Sequence, residues 1–372
     1  MIRSTASIRR SRGTAVVLVA LAAAGLLTAG SPKPKAFKIN PRFMRAAPQD
    51  TLIRPGETHF AHLWQITFGG ENAEGYFSAD GSKLIFQSTR DAWPCDQMYV
   101  MDLKTGVARR VSNGLGRCTC GYFYDDDRRI LYATTYLAGD SCPPPPDMSH
   151  GYVWALSPGY DICTAQPDGS DIRRLTETPG YDAEATLSSD GAWVVFTSVR
   201  DGDIELYKMR PDGSEVTRLT NEPGYDGGAF FSRDGRWICW RRDDQSDSTK
   251  LAQYRALLDQ HLVRPSQMNL WVMHADGTGK KQVTAKPGAS FAPYFTPDGK
   301  QLIYSSNWEN PRGRNFDLYL VDVAGGEPQP VTRDPQFDGF PMFNPDGKWL
   351  VFASNRGGRE RGETNLFLAE WK

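Results

Sequence analysis

Six short turns, five of them ending in Asp-Gly, give a common register for the residues that could bind or react. Their aspartates are Asp80, Asp126, Asp190, Asp234, Asp298 and Asp346. Eight positions before them stand Asn72, Cys118, Asp182, Asp226, Ser290 and Asp338, and two positions further on come Glu74, Cys120, Glu184, Gly228, Ala292 and Phe340. Arg90, Arg200, Arg241, Arg242 and Arg356 close the next apolar runs. Carboxylates interleaved with arginines could hold a cation such as Ca²⁺, a peptide or another polar ligand. The candidate ligand-binding residues are Asn72, Glu74, Asp182, Glu184, Asp226, Asp338, Arg90, Arg200 and Arg356. A structural role competes with this reading. An Asp in a Gly-Tyr-Asp loop caps its own turn, and each Arg can pair with it.

Cysteine offers a second chemistry. Cys95, Cys118, Cys120 and Cys142 fall close together along the chain, and an exported protein would oxidise them. Cys118 and Cys120 are too close in sequence to bridge comfortably. The expected disulfides therefore join Cys95 to one of them and Cys142 to the other. A four-thiolate zinc site is the alternative, although Cys-x-Cys departs from the usual spacing. Cys163 and Cys239 lie in apolar strands and are expected buried and free. No G-x-S-x-G, H-E-x-x-H or P-loop motif occurs, and five scattered histidines form no evident metal cluster. No catalytic residue is assigned.

The elements that position these residues follow from the repeat. The six aspartates are spaced 46, 64, 44, 64 and 48 residues apart. A propeller blade takes ~40–50 residues, so two units carry insertions. Asp-Gly is a hairpin turn. The strand after it is apolar throughout, as in Leu84-Ile85-Phe86, Val194-Val195-Phe196 and Leu350-Val351-Phe352. A second hairpin follows, as in Glu205–Met209, Pro211-Asp212-Gly213 and Arg218-Leu219-Thr220. Four strands, A to D from the axis outward, make one blade. The last unit stops after Asn365–Ala369, and His62-Leu63-Trp64-Gln65-Ile66-Thr67 resembles the missing outer strand. The expected fold is an all-β, six-bladed β-propeller of four-stranded blades, in which the N-terminal strand closes the last blade.

Over roughly residues 62–371 the units resemble the WD-like repeat of the TolB type, L-Y-x-M-x-x-D-G-x-x-x-x-R-L-T…S-x-D-G. TolB has an α/β domain before its propeller, whereas only residues 31–62 would precede Leu63 after leader cleavage. A TolB-like exported propeller without that domain is therefore expected. The D–A and B–C loops of a propeller share one face, and the candidate residues fall there. So do both insertions. One, near 138–158, contains Cys142-Pro143-Pro144-Pro145-Pro146, Tyr152 and Trp154. The other, near 246–265, reads as a helix with Leu251, Tyr254, Leu258 and Leu262 on one stripe, stopped by Pro265. Six-bladed lactonases hold a cation at this mouth, and Asn72, Glu74, Asp182, Glu184 and Asp226 could imitate them.

The chain has 43 Lys+Arg against 44 Asp+Glu, which favours neither nucleic acid nor an anionic membrane. Arg3, Arg9, Arg10 and Arg12 precede the small, apolar run Thr14–Ala29, as in a signal peptide over residues 1–30. Residues 31–61, with Pro32, Pro34, Pro41, Pro48 and Pro55, read as an extended tether, and the propeller fills 62–372. The expectation is a periplasmic or secreted monomer with no membrane span after leader cleavage. It would be a binding scaffold for a cell-envelope protein or peptide, or a saccharide. The alternative is a cation-dependent hydrolase or lyase acting at the channel mouth.

Overall fold

A computed structural model describes residues 47–372 apart from residue 246. The leader expected over 1–30, and the tether as far as residue 46, lie outside the described residues. Six four-stranded antiparallel sheets stand around one axis. Their A strands are Glu71–Phe77, Cys118–Tyr124, Asp182–Leu187, Gly224–Phe231, Ser290–Phe295 and Asp338–Phe343, in blades 1 to 6. Each packs on the A strand of the next blade, and blade 6 meets blade 1, so the ring is closed. The B strands are covered on both sides by neighbouring blades. Leu84-Ile85-Phe86, Val194-Val195-Phe196 and Leu350-Val351-Phe352 are accordingly all buried, which is why their apolar runs do not alternate.

The repeat signature has a hydrogen-bonding cause at each end. In the A–B turns, Ser78, Ser188, Ser232 and Thr296 donate their hydroxyls to Asp80, Asp190, Asp234 and Asp298 at 2.6–2.8 Å. The following glycines, such as Gly81 and Gly191, take the left-handed backbone that this turn needs. In the outer hairpins, the threonine of Arg-Leu-Thr accepts a strand C amide. Thr176, Thr220, Thr284 and Thr332 accept from Ile162, Leu206, Leu270 and Leu318 at 2.8–2.9 Å. Thr67 does the same for Leu366 at 2.8 Å, from the other end of the chain.

That bond belongs to the closure. Phe60–Gln65 pairs antiparallel with Asn365–Trp371, with Leu63 opposite Ala369 and Gln65 opposite Phe367. The segment just before it is docked on the propeller. Glu57, assigned to the tether by composition, is buried and meets Arg356 at 3.0 and 3.1 Å. Arg54 pairs with the buried Asp334 at 2.6 Å.

The insertions are the B–C loops of blades 2 and 4. The helix of the second runs Ser248–Leu258, N-capped by Asp247, and ends before Pro265 is reached. His261 takes a left-handed backbone, and Leu262 lies in the strand Leu262–Val263 rather than on the helical stripe. That strand pairs with Trp154–Ala155 of the first insertion. Val153, Leu257 and Leu262 bury one another, so the two loops form one cover across the face. Tyr254 anchors it to the propeller through Gly224 O at 2.7 Å and through Asp203.

The closure predicts that deleting residues 1–68 leaves blade 6 with an open edge and lowers the melting temperature or aggregates the chain. Leu63→Ala, which leaves the strand in place, should cost about 2–4 kcal/mol because Leu63 is fully buried. Thermal melts check both, and a truncation that melts like the parent overturns the closure.

Candidate functional site

The register picked out in the sequence splits into two sets once the strands are in place. The residues eight before the turn aspartates are turned into their own blades. Asn72 accepts from Arg90 at 2.9 Å, and Asp182 pairs with Arg200 at 3.0 and 3.1 Å. Asp226 pairs with Arg242 at 2.7 Å, and Asp338 with Arg356 at 2.7 Å. In three of these blades the arginine Nε also donates to a strand B serine: Ser88, Ser198 or Ser354, at 2.8–3.1 Å. Arg200, Arg242 and Arg356 further lie over Phe196, Trp271 and Phe352. The unit is a latch between strands A and B that joins an arginine to an aspartate, or in blade 1 to the amide of Asn72. Blades 2 and 5 replace it with Cys118–Thr134 and Ser290–Ser306 hydroxyl or thiol contacts.

The second set faces the axis. Every A strand carries a bulge at the same place, for example between Ala73 and Tyr76 opposite Gln87 and Ile85. The first residue of each bulge is left-handed: Glu74, Cys120, Glu184, Gly228, Ala292 and Phe340, with φ of 49–60°. For the five that are not glycine this is an uncommon conformation, held by the sheet around it. All six line a cavity of about 1210 Å³. A second ring lies one residue before the latch positions: Glu71, Arg117, Tyr181, Tyr225, Ala289 and Phe337, and all six line it too. The cover contributes Tyr152, Trp154, Ala155 and Leu156 from one loop and Arg264, Pro265 and Ser266 from the other.

The cavity thus brings together Glu74 and Glu184 of the candidates, but not Asn72, Asp182, Asp226, Asp338, Arg90, Arg200 or Arg356. Among the described residues no three His, Cys, Asp or Glu side chains gather to hold a metal ion. The two glutamates differ in setting. Glu184 pairs with Arg241, accepts from Thr197 at 2.7 Å and from the Gly228 amide at 2.8 Å, and meets Tyr225. Burial works against its charge, but Arg241 and these bonds outweigh it and hold its pKa below the ordinary value. Glu74 accepts from Tyr76 at 3.2 Å and has no ion-pair partner among the described residues. Burial, with some repulsion from Glu184, pushes its pKa up to about 7. Cys120 lies beside it, its thiol kept protonated by burial.

Sequence reasoning missed the aromatic part of the wall: Phe291, Phe316 and Phe337 with Phe340, and Tyr160 with Tyr181 and Tyr225. A signal was present, since Tyr181, Tyr225 and Phe337 each immediately precede a latch aspartate.

The disulfides also need correction. Cys95 bonds Cys142, whereas Cys118 and Cys120 are thiols, as are Cys163 and Cys239. Cys118 points into blade 2 toward Thr134 and Cys120 lines the cavity, and Cys95 and Cys142 bond each other instead. The bond ties the cover's first loop to blade 1.

Residues 263–361 match the family model described as the TolB beta propeller domain. Over that stretch the blades match the TolB-type propeller repeat. A structure from Agrobacterium tumefaciens assigned as TolB is similar at 18% identity and TM-score 0.53, over 83% of this chain and 97% of that one. TolB from Acinetobacter baumannii is 18% identical with TM-score 0.49. It matches 69% of this chain, which spans about half (53%) of that longer protein. A gluconolactonase from Xanthomonas campestris shares the fold at 11% identity and TM-score 0.56, over 86% of this chain and 94% of its own. The propeller fold is common to different functions, so the cavity, not the fold, has to carry a functional reading.

Two outcomes follow. Combining Asp182→Asn with Asp226→Asn leaves Arg200 without a counter-charge and Arg242 with only its longer contacts to Glu222 and Asp244 at 3.7 and 3.9 Å, and stability should fall by about 1–3 kcal/mol. Melts in millimolar Ca²⁺ should not shift for parent or variant, and a Ca²⁺-dependent shift in the parent alone would restore the cation-site reading. Glu74, whose pKa is raised on folding, contributes fully below the ordinary carboxylate range and loses that contribution as pH rises through about 7. Glu74→Gln should therefore match the parent near pH 4 and gain on it above pH 7, by roughly 1–3 kcal/mol after allowing for cavity water. Melts across pH 4–9 test this, and a constant difference overturns it.

Proposed function

We propose that this chain is an exported TolB-like propeller acting as a binding scaffold. It takes a peptide or protein segment, or a saccharide, into the covered cavity on its loop-rich face. The observation that carries this is the cavity itself. About 1210 Å³, aromatic on one side and with a few polar groups on the other, is the make-up of a ligand site rather than of a flat contact surface. Six strained or glycine bulge positions converge on it, and two insertions are spent in covering it. Export is supported by the Cys95–Cys142 disulfide, which persists in oxidising compartments. No helix among the described residues is long and apolar enough to cross a membrane.

The lactonase-like reading has less support. It draws on Asn72, Glu74, Asp182, Glu184 and Asp226 to share a cation, and although Glu74 and Glu184 line one cavity, Asn72, Asp182 and Asp226 are held in separate latches.

The test is capture from the native cell envelope by the parent and by two cavity variants. Ala292→Trp fills the site and Phe340→Ala strips its apolar wall. A species held by the parent and lost at least ten-fold by both variants, each with a near-parental melt, is the expected result. Equal capture by all three would remove the cavity as the binding site.

A further inference from the structure

The cavity wall is divided by chemistry. Blades 1 to 3 give the bulge ring Glu74, Cys120 and Glu184, while blades 4 to 6 give Gly228, Ala292 and Phe340. On the second side Phe291 stands edge-on to Phe316 and Phe340, with centroids 5.1 and 5.5 Å away, and stacks with Phe337 at 6.4 Å. On the first side the aromatic groups are tyrosines: Tyr160 and Tyr181 meet edge to face at 5.6 Å.

Within the polar side the charges do not balance locally. Arg241 is committed to Glu184 and Tyr225 and lies over the Tyr225 and Trp154 rings. Glu74 is left with a tyrosine hydroxyl and a thiol as neighbours, both neutral. Glu74 is half-buried in the cavity wall, where a carboxylate drawn out of bulk water is costly unless a cation compensates it, and no lysine or arginine among the described residues lies within ion-pair distance of it. A second group on the same wall is also unmet. Nε of Arg241, a residue only 6% exposed, has no hydrogen-bond acceptor. Arg117 and Arg264 line the cavity as well, Arg117 reaching Asp96 at 3.8 Å, and Arg312 and Arg314 do so from an exposed blade 5 loop, where solvent screens them and Arg314 lies over Tyr152 of the cover.

Building on the cavity reading above, we infer that the ligand carries a protonated nitrogen that pairs with Glu74, and an aromatic or apolar body that lies on Phe291, Phe316, Phe337 and Phe340. Ammonium groups are stabilised both by a carboxylate and by tyrosine faces, and the wall offers both together. The binding group is an aryl- or alkylammonium, free or as part of a larger molecule.

The test uses three probes of one shape: 2-phenylethylamine, 2-phenylethanol and 3-phenylpropionate, titrated by calorimetry into the whole protein at pH 8. The amine should bind at least ten-fold tighter than the alcohol, and the carboxylate weakest. Glu74→Gln should bring the amine to the level of the alcohol and leave the alcohol within two-fold of its parental affinity. Phe340→Ala should weaken all three. Preference for the alcohol or carboxylate, or an amine preference that survives Glu74→Gln, overturns the ammonium assignment while leaving cavity binding in place. If Ala292→Trp changes the binding of no probe, the cavity reading falls with it.

Discussion

One extra residue in each A strand is the constraint on which the site depends. In a regular strand, positions two apart share a face. The latch residue and the residue two beyond it would then both be buried in the blade. The bulge shifts the alternation by one, so that Glu74, Cys120, Glu184, Gly228, Ala292 and Phe340 turn to the axis while Asn72, Cys118, Asp182, Asp226, Ser290 and Asp338 stay inside. The ring of cavity-facing side chains is a product of that phase change. Its backbone cost falls on positions with φ near 50–60°, held by flanking pairs on both sides.

The latches hold the edge of the blade from which the bulge departs. An acid–arginine pair taken out of water gains little net stability over an apolar pair, but it accepts only one geometry. Asp182 and Arg200 join the first residue of strand A to the turn after strand B, with Ser198 fixing the guanidinium. Blade 6 extends the arrangement across the chain termini, since Arg356 bonds Asp338 within the blade and Glu57 from the N-terminal segment. The hydrophobic core supplies the bulk of the folding energy, and the latches select the register in which strands A and B meet.

The fold was legible because its marks are local and repeated. Ser-x-Asp-Gly and Arg-Leu-Thr each correspond to a hydrogen bond made within a few residues or across one hairpin, so their spacing alone gives six blades and the closing strand. The site was legible in register but not in phase. Counting back from Asp-Gly found both strand positions, yet nothing in the count shows that a bulge separates them. The residue after each bulge position is small or proline, namely Gly75, Gly121, Ala185, Ala229, Pro293 and Pro341, and this was the available sign. At Gly121 an added Cβ would lie 2.4 Å from Met98 Cε. The disulfide pairing was out of reach for another reason. Cys95 and Cys142 sit on loops of different blades, and sequence distance says nothing about how those loops fold back over the face.

The blades agree in strand B, in the A–B turn and in the outer hairpin, and differ most where a side chain faces the cavity. Strand B is apolar in every blade, the turns keep their Asp, and the outer hairpins keep a hydroxyl that accepts the strand C amide. The bulge residue, by contrast, is Glu, Cys, Glu, Gly, Ala and Phe in turn, and the residue before the latch is Glu, Arg, Tyr, Tyr, Ala and Phe. Such contacts as these positions make, Glu184 with Thr197 and Arg241 for one, are particular to one blade, so the repeat places no common demand on their chemistry. A six-fold repeat would otherwise give a cavity with the same wall on all sides, unable to orient a ligand lying across the axis. The cover breaks the symmetry further, since it springs from blades 2 and 4 alone and is tied by a disulfide to blade 1. Polar groups on one side, phenylalanines on the other and a roof over part of the mouth leave one sense in which an elongated, two-ended ligand can lie.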